Sequence, residues 1–130
     1  MDEAKSLKEI RNLLLKLHKL MLDGERSLHE RKFGALNSTQ FLNLLLEDDE
    51  FAWLRKFSKL IVDIDEMFDL KDGISTEMIT RETEKARDLV AMKDSDEKFQ
   101  AKYQYALQHV VGAASLQGEL KILLADNPPA

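Results

Sequence analysis

Cysteine is absent from this 130-residue chain, and its two prolines, Pro128 and Pro129, stand at the very end. Without cysteine there are no disulfides, no thiolate nucleophiles and no cysteine-based zinc sites. Without internal proline, nothing before residue 128 forces a helix to break. Long apolar runs are missing as well. No stretch approaches the roughly 20 residues that a membrane-crossing helix needs. The chain opens on Asp2 and Glu3, and Lys16 and Lys19 interrupt the leucines that follow, a poor pattern for a secretion signal. The expected location is cytoplasmic. Catalytic signatures are also lacking: there is no G-x-S-x-G elbow, no phosphate-cradling glycine loop and no His-Glu-x-x-His. An active site would have to be assembled from scattered carboxylates and three histidines, so an enzyme is not the expected reading. No cofactor is expected.

What the chain does contain is helical rhythm. Leu7, Ile10, Leu14, Leu17, Met21, Gly24 and Leu28 recur by threes and fours, as do Phe99, Tyr103, Ala106, Val110, Ala113, Gln117, Leu120 and Leu124. Such spacing places each set on one stripe of an α-helix, and an apolar stripe must find a partner surface. Hydrophobic residues make up 44% and charged residues 33%, ordinary proportions for a helical protein of one domain. The formal charge of −5 argues against a general binder of phosphate backbones, so nucleic acid is not an expected partner. The charge is uneven. Lys5, Lys8, Arg11, Lys16 and Lys19 face only Glu9 in the first stretch, about +4 by counting. Acid gathers at residues 47–50 and at Asp63, Asp65, Glu66 and Asp69.

These signals predict an all-α chain, an antiparallel bundle of four long helices plus one short helix. The first helix runs from about Asp2 to Lys32 and is stopped by Gly34. Leu13, Leu20, Leu15 and Leu22 flank its seam on both sides, broad enough for more than one neighbour. Asn37 and Gln40 have capping-box spacing, with Ser38 and Thr39 as rival caps, and open a short helix from Thr39 to Leu46. The acidic run 47–50 ends it and suits the start of a third helix, Asp49 to Leu70, with a seam of Leu54, Phe57, Ile61, Ile64 and Phe68. After Gly73, Ser75 or Thr76 begins a fourth helix reaching Met92, whose apolar face (Ile79, Ala86, Leu89 and Val90) is thin. Asp94 or Ser95 caps a fifth helix that continues to Ala125. Residues 1–126 form the domain and 127–130 a flexible tail. Gly24, with Gly112, Ala113, Ala114 and Gly118, suggests a close helix crossing, since a mid-helix glycine costs about 1 kcal/mol unless close packing compensates.

The segment Phe41–Glu66, FLNLLLEDDEFAWLRKFSKLIVDIDE, resembles a family of short, uncharacterised, all-helical bacterial proteins marked by an F-A-W-L-R-x-x-S-x-L-I-V-x-I-D-E helix. Leu17-His18-Lys19, Asp23 and Glu25 resemble that family's first helix. The resemblance implies a helical fold and a bacterial origin, and brings no activity. Lys56 stands where the family commonly carries proline, which implies a straighter or earlier third helix.

Four groups are candidates for function. His18, Glu25 and His29 share a stripe of the first helix and offer a possible pocket or metal set; the plainer reading is that they edge the core. Arg55, Ser58 and Asp65, with Glu66 beside them, offer a docking patch on the third helix; the plainer reading is a solvated face with weak ion pairs. There the cations lie toward the helix N-terminus and the acids toward the C-terminus, against the macrodipole, so an outside partner or an oppositely charged helix is expected. Trp53 is either an interface anchor or, preferred, a core plug. Tyr105 and His109 form an i,i+4 pair that either lines a small cleft or, preferred, packs half-exposed with satisfied polar tips. The leading expectation is a non-enzymatic bundle acting through protein–protein interaction, with a homodimer as one form. The partner itself is not named by the sequence. The alternative is a small-molecule- or metal-binding bundle with an interhelical polar pocket.

Overall fold

In a computed structural model, residues 2–93 and 96–125 are described. Among them the regular structure is helical: α1 (Glu3–Phe33), α2 (Ser38–Glu47), a 3-10 turn (Asp49–Phe51), α3 (Ala52–Phe68), α4 (Thr76–Val90), α5 (Glu97–His109) and α6 (Ala113–Ala125). The expected all-α class is observed. The caps expected at Asp94 and Ser95, and the tail expected at 127–130, lie outside the described residues.

Local chemistry accounts for most boundaries. Asp2 Oδ1 accepts from the amides of Ala4 and Lys5 at 3.0 and 3.3 Å and starts α1. Gly34, at φ +95°, ends it, and its amide donates to the Glu30 carbonyl at 2.8 Å; that left-handed backbone favours glycine. Asn37 and Gln40 close a reciprocal capping box at 2.8 and 3.0 Å, so Asn37 prevails over Ser38 and Thr39 and α2 begins one residue earlier than expected. Asp48 accepts from the Glu50 amide at 2.8 Å. The acidic run thereby caps a 3-10 turn, and the α-helix proper starts at Ala52. Ser75 caps α4 through the Met78 amide, and Asp96 caps α5 through the amides of Lys98 and Phe99.

The fifth helix is two helices. The seam expected to run unbroken from Phe99 to Leu124 is interrupted at residues 110–112, where Gly112 takes φ +89° and the Ala113 amide donates to the Val110 carbonyl at 3.1 Å. Two adjacent β-branched residues lower helix propensity, and the glycine after them reaches a left-handed turn without a Cβ penalty. The chain then folds back. The Tyr103 hydroxyl on α5 donates to the Gln117 side-chain oxygen on α6, and Gln117 Nε2 donates to the Val90 carbonyl at 3.0 Å. Burial supplies the tertiary reason: Ala113, Leu120 and Leu124 are covered, and α6 packs on α1, α4 and α5.

α1 and α3 form the centre, α1 lying against α3, α4 and α6, and α3 against α4 and α5. Leu7, Ile10, Leu14, Leu17, Phe57, Ile64, Tyr103 and Leu120 are wholly excluded from solvent. Phe57 anchors an aromatic cluster, its centroid 5.0 Å from Tyr103, 6.0 Å from Phe99 and 6.3 Å from Trp53. On α4 the thin expected face is supplemented by Glu82 and Thr83, both buried beside Ala86 and Val90. The close crossing is confined to one place. A Cβ on Gly24 would lie 2.8 Å from Val110 Cγ2, and one on Gly112 3.3 Å from Leu20 Cδ1, whereas one on Gly118 would meet nothing within 4 Å. The approach is therefore between α1 and the α5–α6 turn, and Gly118 takes no part.

Candidate functional site

That approach leaves a space on its α5 side. A groove of about 510 Å³ opens between the second half of α1 and α5. Leu20, Met21, Gly24 and Leu28 form one wall, Ala106, Val110 and Val111 the other, and Trp53 lies between them. Tyr105 and His109 pack at its edge with tilted rings, centroids 4.2 Å apart; Tyr105 is half-exposed, as the preferred packing reading has it, and the pair also borders the cleft. Asp23, Glu25, Arg31 and Lys102 supply charge. Val111, beside the glycine of the turn, is 91% exposed.

A second cavity of about 310 Å³ adjoins the first. Glu25, Leu28 and Lys102 border both, and His29, Lys32, Phe33, Glu50 and Phe51 complete the second. Between the two spaces stands an ion-paired triad: Lys102 Nζ lies 2.7 Å from Glu25 Oε1 and 2.7 Å from Glu50 Oε2. Burial alone would lower the Lys102 pKa, but the two carboxylates outweigh it and hold it above the ordinary lysine value. Lys102, followed by Lys98, holds the Glu50 carboxyl below its usual range. Two polar atoms nearby lack partners, His29 Nδ1 and Trp53 Nε1, both buried.

The structure gathers some of the expected residues and separates others. Trp53 is buried against Phe57 and Tyr103, as the core reading holds, yet one side of it also faces the groove. Glu25 and His29 share the second cavity. His18 does not join them. A helix rises about 1.5 Å per residue, so His18 and His29 stand roughly 16 Å apart along α1, too far for one ion held by ligands about 2 Å away. Glu25 is meanwhile taken by Lys102. Among the described residues no group of three or more histidine or acidic side chains could hold a metal. His18 is half-buried, and desolvation lowers its pKa.

The third-helix patch divides among partners within the chain. Arg55 Nη1 donates to the Leu45 carbonyl at 2.6 Å and the Asp48 carbonyl at 3.3 Å, closing the open end of α2. Ser58 Oγ donates to the Arg55 carbonyl one turn back, at 3.2 Å. Asp65 receives a two-pronged bond from Arg11 Nε and Nη2, both at 2.9 Å, which with its charge raises the Arg11 pKa. Lys56 reaches Asp96 at 3.4 Å and lies over the Phe99 ring. The reversed charge order of α3 thus meets α1, α2 and α5. Glu66 remains exposed at the rim of a separate pocket of about 440 Å³ beside α4, where Lys85 holds Asp63 and the buried Glu82.

Lys102 and Val111 carry no sequence signal of their own. Lys102 reads as a solvated charge beside the seam, and its partner Glu25 is 77 positions away. Val111 reads as the interior of an unbroken helix. Comparison with protein-family models, curated proteins and solved structures finds no match for this chain.

Proposed function

We propose that this chain is a non-catalytic binding module whose partner is another protein, seated in the groove between α1 and α5. The observation that carries the reading is the make-up of that groove. Trp53, Tyr105 and Arg31 line it together with aliphatic walls, and Trp, Tyr and Arg are the residue types in which interface hot spots concentrate. Val111 stands beside it almost fully exposed, an arrangement suited to an apolar anchor on a partner helix. Glu25 and Lys102 are committed to each other and to Glu50, and Asp23 to Lys19, which suits a docking surface better than a proton-transfer centre.

Val111→Asp combined with Tyr105→Ser tests this, because both side chains are exposed and their loss leaves the core intact. The expected result is a protein retained by the immobilised wild-type chain and lost from the double variant at unchanged melting temperature. Identical retained sets for the two chains defeat the reading.

One observation favours a small-molecule ligand instead. The Trp53 indole N–H is buried without an acceptor beside a groove of about 510 Å³, a volume within the usual range for ligand pockets. Trp53 is the sole tryptophan, so its fluorescence reports on the groove directly. A compound from a metabolite screen that raises the melting temperature and shifts Trp53 emission supports this second reading. Stabilisers that leave the emission unchanged bind elsewhere.

A further inference from the structure

We infer that the α5–α6 turn is an exchange hinge, through which two copies of this chain can trade α6 and become a dimer. The inference goes beyond the groove reading and does not depend on what the groove holds.

The argument starts from a mismatch between sequence and fold. The seam Phe99, Tyr103, Ala106, Val110, Ala113, Gln117, Leu120, Leu124 keeps its three-and-four spacing straight through residues 110–112, where the helix is broken. All of these residues are buried except Val110, which is partly so. A hairpin that never opens has no need of such continuity, because a turn resets the relation between the two stripes. A continuous helix does need it. If α5 and α6 joined into one helix of residues 97–125, about 43 Å long, both halves of the seam would lie on one face. That face would present α5 to its own core and α6 to the core of a neighbour. Ala113, Gln117, Leu120 and Leu124 would then re-form their contacts with α1, α4 and α5 of the second copy, with no new interface to invent.

The local balance at the hinge is fine. The closed turn rests on Gly112 at φ +89°, where an L side chain is strained. A Cβ there would also lie 3.3 Å from Leu20 Cδ1. Val111 is 91% exposed in the turn. Straightening returns helical hydrogen bonds to residues 111–114 and relieves the turn. Short hinge loops under constraint are the usual sites of such exchange.

Gly112→Ala tests the hinge, because it strains the closed turn and favours the straight helix. The expected shift of the monomer–dimer balance toward dimer is about tenfold or more, read by sedimentation at hundreds of micromolar. Gly112→Asn adds the same Cβ but is the side chain that best tolerates a left-handed backbone, so its shift toward dimer should be smaller than that of Gly112→Ala. The dimer's form is read from an intra-chain distance. Because the chain has no cysteine, Ala101→Cys and Ile122→Cys, both at exposed positions, supply the only labelling sites. Spin labels there, diluted with unlabelled chain, should report about 31 Å in a straightened helix and a much shorter separation in the closed hairpin. A dimer with the long distance supports the exchange. A Gly112→Ala chain that stays monomeric, or that dimerises with the short distance, overturns it. Should Gly112→Ala fail to fold, the wild-type chain refolded from denaturant at the same concentration carries the test. A dimer abolished by a glycine–serine insertion after Gly112 then supports the exchange. A dimer that survives the insertion, or refolding to monomer alone, overturns it.

Discussion

The two halves of α1 obey the same rhythm and end in different surroundings. From Leu7 to Met21 every seam residue is sealed from solvent, on the helix that packs against α3, α4 and α6. From Gly24 to Phe33 no residue is buried, and Leu28, still on the seam, borders both cavities. The difference lies in what stands opposite. The first half faces packed helices; the second faces the end of α5, where the chain turns at residues 110–112 and leaves a groove. Periodicity therefore marks the side of a helix that turns inward, while the supply of neighbours decides whether that side is filled or left as a site.

The sharpest way to break this contrast is to truncate one leucine from each half. Leu14→Ala should cost about 3 kcal/mol, in the range for a large-to-small change in a packed core. Leu28→Ala, already bordering open space, should cost about 1 kcal/mol. Chemical denaturation of both variants measures the gap, and equal losses would mean that the two halves are packed alike.

The junction between the halves is the next target. Gly24→Ala improves helix propensity by about 1 kcal/mol, but its Cβ would lie 2.8 Å from Val110 Cγ2, a stiff β-branched side chain. The expected outcome is a net loss of about 1 kcal/mol, recovered when Val110→Ala is added. A double-mutant cycle gives the coupling directly; a coupling near zero would place the close approach elsewhere.

Two smaller effects sharpen the description of the filled half. Arg11→Gln removes the fork to Asp65, which is partly exposed on both sides, and should cost under about 1 kcal/mol, declining further with salt. His18 should give the protein a mild acid sensitivity. Burial lowers its folded-state pKa below the ordinary 6.5. The neutral form is therefore favoured by folding, and its contribution is present above pH 6.5 and fades as the pH falls through the lower folded value. His18→Gln should flatten the stability profile on the acid side of pH 6.5, read by denaturation across pH. An unchanged slope would mean that His18 is equally hydrated in both states.

Much of the fold was legible residue by residue. Gly34, Asn37, Gln40 and Ser75 act within a few positions of themselves, through caps and turns, so their roles follow from local backbone chemistry. The seam residues were legible because a helix repeats at a fixed angle. The α5–α6 break was not, because the same seam suits one helix or two; only the covering of Leu120 and Leu124 by α1 and α4 selects the fold-back. Of the candidate site, the preferred reading of Trp53 is core, as it stands, while for Tyr105 and His109 the i,i+4 spacing favours half-exposed packing and leaves the cleft as the lesser alternative. The stripe of His18, Glu25 and His29 could not by itself specify a shared site, because shared angle is not shared height: a helix stacks such residues along its length.

What the sequence determined by itself is a set of helices with caps, stops and inward faces, since each depends on interactions within one or two turns. Only the tertiary structure decided where Lys102 meets Glu25 and Glu50, that Arg55 closes α2, that Arg11 grips Asp65, and that a groove opens beside Trp53. Those outcomes join residues separated by up to 77 positions. They depend on which helices can approach closely enough to exclude water, and no local pattern encodes that distance.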